Sequence, residues 1–296
     1  MTEARLAVIG GSGFYDIEGL EDRHEVRCET PFGEPSDAIL LGTLGATPVA
    51  FLPRHGRGHR LLPAEVPARA NVYALKTLGV ERIISVNAVG SLREEIAPRD
   101  LVVPDQFIDR TVARQSSFFG DGLVAHVSLA DPFCPELSRL LLEGARQTGA
   151  TVHVGATTVV VEGPAFSTKA ESRLYRSWGA DLVGMTMLPE AKLAREAGIC
   201  YAALACVTDY DVWREAHDEV TAQMILDNLR LSVDNARKAV ALAIETLPPQ
   251  RSCTCASALR DALVTAPALV PAATLRRLAP IIGDYGAGTD DANGGQ

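Results

Sequence analysis

The chain alternates unbroken apolar runs with stretches in which apolar residues recur every three or four positions. Arg5–Gly10 (RLAVIG) ends in glycines, as a buried strand does on entering a tight turn. Thr47–Leu52, Arg82–Asn87, Ala156–Val161 and Ile199–Val207 are runs of the same kind. They are continuous and do not alternate with polar residues, which predicts a sheet covered on both faces. Between them, Val66–Leu78, Glu136–Thr148, Pro189–Ala197 and Val220–Glu245 carry the helical spacing. Pro189-Glu190 suits a first helical turn and Gly198 a helix end. Strands alternating with helices predict a single α/β domain with a central mixed, largely parallel twisted sheet flanked by helices. The sequence contains no internal repeat and no interdomain linker. Residues 1–250 are expected to form the main domain. Residues 251–284, with short helices in Ala256–Leu278, are expected to form an extension packing on it, and Tyr285–Gln296, rich in Gly and Asp, a disordered tail.

Composition narrows the function. The chain has 296 residues, of which 47% are hydrophobic and 22% charged, so it can bury a core and is not intrinsically disordered. Its 28 Lys+Arg against 37 Asp+Glu give −9, which argues against nucleic acid as a partner. The N-terminal apolar run is short and lacks a basic flank, and no uncharged apolar stretch approaches the ~20 residues of a membrane span. A cytoplasmic protein without a membrane partner is expected. The six cysteines are too sparse for a secreted disulfide framework, and no Cys-x-x-Cys zinc pair occurs.

Candidate chemistry collects at strand ends. Gly10-Gly11-Ser12-Gly13 can present backbone N–H groups and a hydroxyl to an anion, although Asp16 stands where a dinucleotide fingerprint needs its third glycine. Arg54-His55-Gly56-Arg57-Gly58-His59 reads as a compact cationic loop, better suited to phosphate than to a metal its arginines would repel. Asn87–Ser91 reads as a turn that lets backbone approach a ligand. Because ligands gather at the carboxyl ends of strands, these three turns are expected to converge on one anion. Asp209 and Asp211 alternate at the end of a long apolar strand, where burial and mutual repulsion raise a carboxyl pKa and equip it as a general acid; a divalent-metal pair is the other use of such a motif. Phe166 could supply an aromatic platform, and Thr186 a hydroxyl just before a helix start.

The ordered motifs IGGSGFYD (9–16), TPFGEPSDAI (30–39), RHGRGHRLLP (54–63), NAVGSLREEI (87–96), DQFIDRT (105–111), DPFCP (131–135), EGPAFST (162–168), WGADLVGMTMLPEAKLAREAGICYA (178–202) and TDYDVW (208–213) resemble the trimeric purine nucleoside phosphorylase superfamily over about residues 5–245. The resemblance is closest to the members that cleave 5′-methylthioadenosine. It implies attack of inorganic phosphate on C1′, release of adenine and formation of 5-methylthioribose 1-phosphate, with no metal or organic cofactor. It assigns Ser12, Arg54, His55, Asn87, Ala88 and Thr186 to phosphate. Met185 falls to the ribose hydroxyls, Phe166 and Ser167 to the purine, and Asp209, with Tyr210 and Asp211 beside it, to N7 and the 6-amino group. His126 looks like the residue a neighbouring subunit lends, with Ala222 and Ile225 as pocket walls, which implies a homotrimer or a dimer of trimers. The carboxylate at Asp209 favours a 6-amino purine, because 6-oxo relatives tend to carry Asn there. Asn87 and Gly184 resemble the 6-oxo relatives, so a methylthioinosine or inosine/guanosine phosphorylase is the alternative. Cys253-Thr-Cys255 resembles a pair oxidised in thermophile relatives, with two free thiols as the other reading.

Overall fold

The structure, a computed structural model, describes residues 3–11, 14, 19–214, 221–283 and 285. Its strands are β1 (Leu6–Gly10), β2 (Leu20–Val26), β3 (Ile39–Leu44), β4 (Thr47–Pro53), β5 (Arg82–Ser91), β6 (Leu101–Val103), β7 (Gln106–Arg110), β8 (Val152–Val154), β9 (Thr157–Val161), β10 (Leu182–Gly184) and β11 (Cys200–Asp209). The helices are α1 (Ala68–Thr77), α2 (Pro135–Arg146), α3 (Lys169–Ser177), α4 (Glu190–Glu196), α5 (Ala222–Glu245) and α6 (Ala272–Ile282). All the described strands join one mixed, largely parallel sheet, with β2-β3-β4-β1-β5-β10-β9-β7 in sequence and β11, β6 and β8 branching from β5.

The two continuous apolar runs β5 and β11 lie parallel in the middle, paired from Arg82↔Cys200 to Gly90↔Asp209. Every residue of β11 is buried, as a strand covered on both faces must be. Helices α2 and α5 cover one face through Leu137, Leu141, Ala236, Ala239 and Val240. Helices α1 and α4 cover the other through Val72, Leu75, Leu193 and Ala194.

The opposite edge of β5 changes partner along its length. Strand β1 pairs with it in parallel up to Ile9↔Ser85, and β10 pairs antiparallel only from Val183↔Gly90. Val86–Val89 therefore have no ladder partner on that edge. The apolar pattern predicts a strand ending at Asn87 and a turn over 87–91. The structure carries it on to Ser91, because β11 continues to pair with it and Val86, Val89 and Leu92 are buried.

Pro67 sits at the N-cap of α1 and shortens the predicted 66–78 helix, while Thr221 caps α5 by accepting from the Met224 amide at 3.2 Å. The polar edge strand β2 and the polar helix α3 were not predicted. In the extension, the short helices become two 3₁₀ turns and α6, whose Leu278 and Ile281 join the core, and the Tyr73 hydroxyl donates to the Arg277 carbonyl at 2.9 Å. Tyr285, counted with the tail, instead donates its hydroxyl to the Thr265 carbonyl; residues 286–296 lie outside the described residues. Among the described residues no helix is long and apolar enough to cross a membrane.

Candidate active site

The seam in β5 opens into a cavity of about 220 Å³. Its lining includes Arg54, His55, Asn87, Ala88 and Thr186, gathered about Val86–Asn87 of β5, and Asp209 and Asp211, gathered further along about Val89–Gly90, together with Phe166, Ser167, Met185 and Ile225. Ser12 lies outside the described residues. Tyr210, Ala222 and His126 are not among the lining residues. Tyr210 lies just past the end of β11, and its ring packs edge-on against Trp213 and beneath the Arg214 guanidinium. His126 and Ala222 are exposed, and the His126 amide donates to the Ala262 carbonyl at 2.8 Å.

The loop after β4 is not the cationic patch that its sequence suggested. Arg54 is only 2% exposed and forms a bidentate pair with Glu190 at the start of α4, with Nε to Oε1 at 2.6 Å. It also donates to the Val86 carbonyl at 2.8 Å, at the seam, and to Ser85 Oγ at 2.6 Å. Glu190 is held in addition by the Tyr201 hydroxyl at 3.2 Å. Arg57 pairs with Glu25 at 2.7 Å, and Arg60 approaches Asp37 at 3.8 Å. Each arginine here has a carboxylate beside it, so the local charge is largely balanced.

His55 Nδ1 lies 2.9 Å from the Leu61 carbonyl, which can only accept, so Nδ1 carries the hydrogen and Nε2 is left with a lone pair. Burial, reinforced by the Arg54 cation, pushes this imidazole down to about 4, and it is neutral at physiological pH. His59 stacks on it, with ring centroids 4.3 Å apart. Asn87 donates from Nδ2 to Thr186 Oγ1 at 2.8 Å, leaving the threonine hydrogen free to point at a ligand.

At the other end, burial raises both carboxyls above their ordinary range. Asp209 Oδ1 accepts from the Asp211 amide at 2.8 Å, and Oδ2 lies 2.7 Å from Thr208 Oγ1, which is also 3.1 Å from the Val89 carbonyl. A hydroxyl has one hydrogen and serves one of these acceptors at a time. Thr208 therefore donates to Asp209 Oδ2 or to the Val89 carbonyl and links the two. Asp211 has Ser172 and Ser167 beside its carboxyl and sits at φ +50°. A Cβ at Gly90 would lie 2.8 Å from Asp209 Oδ1, so only glycine lets the carboxyl occupy this place.

Sequence reasoning missed the groups that hold these residues. Arg114 sends Nη1 to the carbonyls of Met185 and Leu188 at 2.5 and 2.6 Å, and Nη2 to that of Glu162 at 2.6 Å, fixing the ends of β9 and β10. The Met185 carbonyl is thus engaged by protein. Nothing in the loop sequence signals Arg114. Glu190 did leave a signal, since helical spacing sets it on the same face as Leu193 and Ala194. Ile225, Leu226 and Leu229 of α5 form an apolar wall, held down where Asn228 donates to the Thr208 carbonyl at 2.8 Å.

Relatives span nearly the whole chain. The sequence matches the phosphorylase superfamily over residues 5–245. It is 57% identical over 293 residues to the S-methyl-5′-thioadenosine phosphorylase of Gloeobacter violaceus, covering 96% of this chain and 97% of that one. It is 55% identical over 284 residues to that of Geobacter sulfurreducens, covering 96% and 99%. Among solved structures, a methylthioadenosine phosphorylase from an Antarctic soil metagenomic library superposes with a TM-score of 0.91 at 50% identity, covering 95% of this chain and 100% of that one. A variant of the Schistosoma mansoni adenosine/methylthioadenosine phosphorylase, in complex with methylthioadenosine, superposes with a TM-score of 0.81 at 36% identity, covering 87% and 96%.

Proposed function

The chain belongs to the phosphorylase superfamily, and from that premise we propose that its cavity carries out phosphorolysis of S-methyl-5′-thioadenosine, yielding adenine and 5-methylthioribose 1-phosphate. The observation that carries this reading is that fixed donors and protonatable carboxyls line opposite ends of one cavity. Phosphorolysis needs both at once: an anion held against C1′ and a proton for the departing purine.

In this scheme the Thr186 hydroxyl holds the phosphate, and Arg54, locked on Glu190, lines the cavity as a fixed positive charge beside it. Neutral His55 accepts, through Nε2, the hydrogen of a monoprotonated phosphate. The bound anion opposes the positive charge that develops on the ribose as the glycosidic bond breaks. Asp209, whose burial favours the neutral acid, donates to N7, and its other oxygen accepts from the 6-amino group. Phe166 and Ser167 border the purine, the Met185 amide meets the ribose hydroxyls, and the α5 wall suits an apolar methylthio group. No step calls for a resident metal or organic cofactor. The 6-oxo alternative fits less well, because a carboxyl acting as donor at N7 presents an acceptor, not a donor, towards O6.

We further assign His126 to the site of a neighbouring copy in a homotrimer, a role supported by its exposure away from its own chain's cavity. Light scattering should give three chains per particle, and His126→Ala should raise KM for the nucleoside while leaving the phosphate KM unchanged. Adenine release from methylthioadenosine, followed with and without phosphate, tests the function. Strict phosphate dependence is expected; release indifferent to phosphate would identify a hydrolase.

A further inference from the structure

Four of the six cysteines meet at one point. Cys134 is the N-cap of α2, Cys200 opens β11, and Cys253 and Cys255 come from the extension. Their Sγ atoms all lie within 4.8 Å of one another, and none is in a disulfide. Cys134, Cys200 and Cys255 are buried, while Cys253 is partly exposed. The loop bearing the last two is tied to both other segments without help from the sulfurs. Arg251 donates to the Gly198 carbonyl at 2.8 Å, and the Ser252 amide and hydroxyl donate to Glu136 Oε2 at 2.9 and 2.7 Å.

We propose that these four sulfurs hold a structural zinc ion that clasps the C-terminal extension to the α/β domain. Tetrahedral thiolates at about 2.3 Å from Zn²⁺ stand about 3.8 Å apart. The Cys200–Cys253 separation of 3.3 Å and the outer limit of 4.8 Å bracket that spacing. A disulfide joins two sulfurs at about 2.0 Å, whereas here each sulfur has three others close by. Binding converts four thiols to thiolates, forms four Zn–S bonds and releases four protons to solvent. The positive end of α2 favours the thiolate at Cys134.

The clasp is remote from the catalytic cavity. Cys200 and Asp209 are the first and last residues of β11, and nine steps of strand span roughly 30 Å. Its failure would leave the phosphorylase reading untouched.

Metal analysis of the full-length, untagged protein, purified without added metal, should find one zinc per chain. A mercurial should release it while consuming four thiols. The Cys253→Ser/Cys255→Ser double variant should lose the zinc, and Cys28→Ser, outside the cluster, should retain it. If the double variant does not fold, Co²⁺ exchanged into the native chain should show the intense visible bands of a tetrathiolate site. Zinc below about a tenth of an equivalent, its full retention by the folded double variant, or cobalt bands of an oxygen-rich site would overturn the proposal. Two disulfides in the unreduced chain, or another metal at full occupancy, would do the same.

Discussion

The two ends of the cavity handle charge in opposite ways. At the Arg54 end, the guanidinium, Glu190, Ser85 and Tyr201 satisfy one another, so the electrostatics are fixed when the chain folds. At the Asp209 end, two carboxyls are buried two residues apart, and burial pushes both towards the neutral form. The first arrangement suits a group that must stay put while phosphate comes and goes. The second suits a group that must give up a proton in every turnover and regain it.

Breaking the mobile end should cost most. Asp209→Asn removes the transferable proton and should lower kcat/KM for methylthioadenosine about 10²- to 10⁴-fold. The wild-type pH profile should fall on the basic side, as pH rises through the raised Asp209 pKa and the acid is lost, and the variant should lack that limb. A variant profile with the limb intact would refute the assignment. The residual activity should also shift towards 6-oxo nucleosides.

Breaking the fixed end should appear first in stability. Glu190→Ala leaves a buried cation unpaired and should cost about 3–5 kcal/mol in denaturant unfolding. Gly90→Ala forces a methyl against the Asp209 carboxylate and should cost about 1–3 kcal/mol, with kcat falling in parallel. Thr208→Val cuts the link from Asp209 to the Val89 carbonyl and should cost about 1 kcal/mol, with a displaced basic limb as its kinetic signature. The effect that shows only on acidification belongs to His55. Its folded pKa of about 4 lies below the unfolded value near 6.5, so the unfolded chain binds more protons between them. Stability should therefore decline as pH falls through that window, and His55→Gln should flatten the decline in a Tm-against-pH series.

The central frame was legible because β1, β4, β5, β9 and β11 are continuous apolar runs, and α1, α2, α4 and α5 carry apolar residues at helical spacing. Strand β2, LEDRHEV, exposes most of its side chains at the sheet edge and so has no apolar pattern to read. Helix α3 is nearly all polar, yet Thr168 and Glu171 form a capping box that was open to reading. In the site, residue types at strand ends pointed to the cavity, but their partners did not. Whether Arg54 faces solvent or Glu190 is a relation across 136 positions, and no local pattern encodes it. Tyr210 lies past the end of β11, where neither strand nor helix periodicity tells which way a side chain turns, and its ring packs on Trp213 and Arg214.

The seam in β5 has a consequence for how the protein can bind and release. Over Val86–Val89 the sheet leaves one edge of its central strand uncommitted, and Arg54 already uses the first carbonyl there. A ligand entering at this edge meets backbone groups that no neighbouring strand claims. Occupation and departure can thus recur without unzipping any part of the sheet.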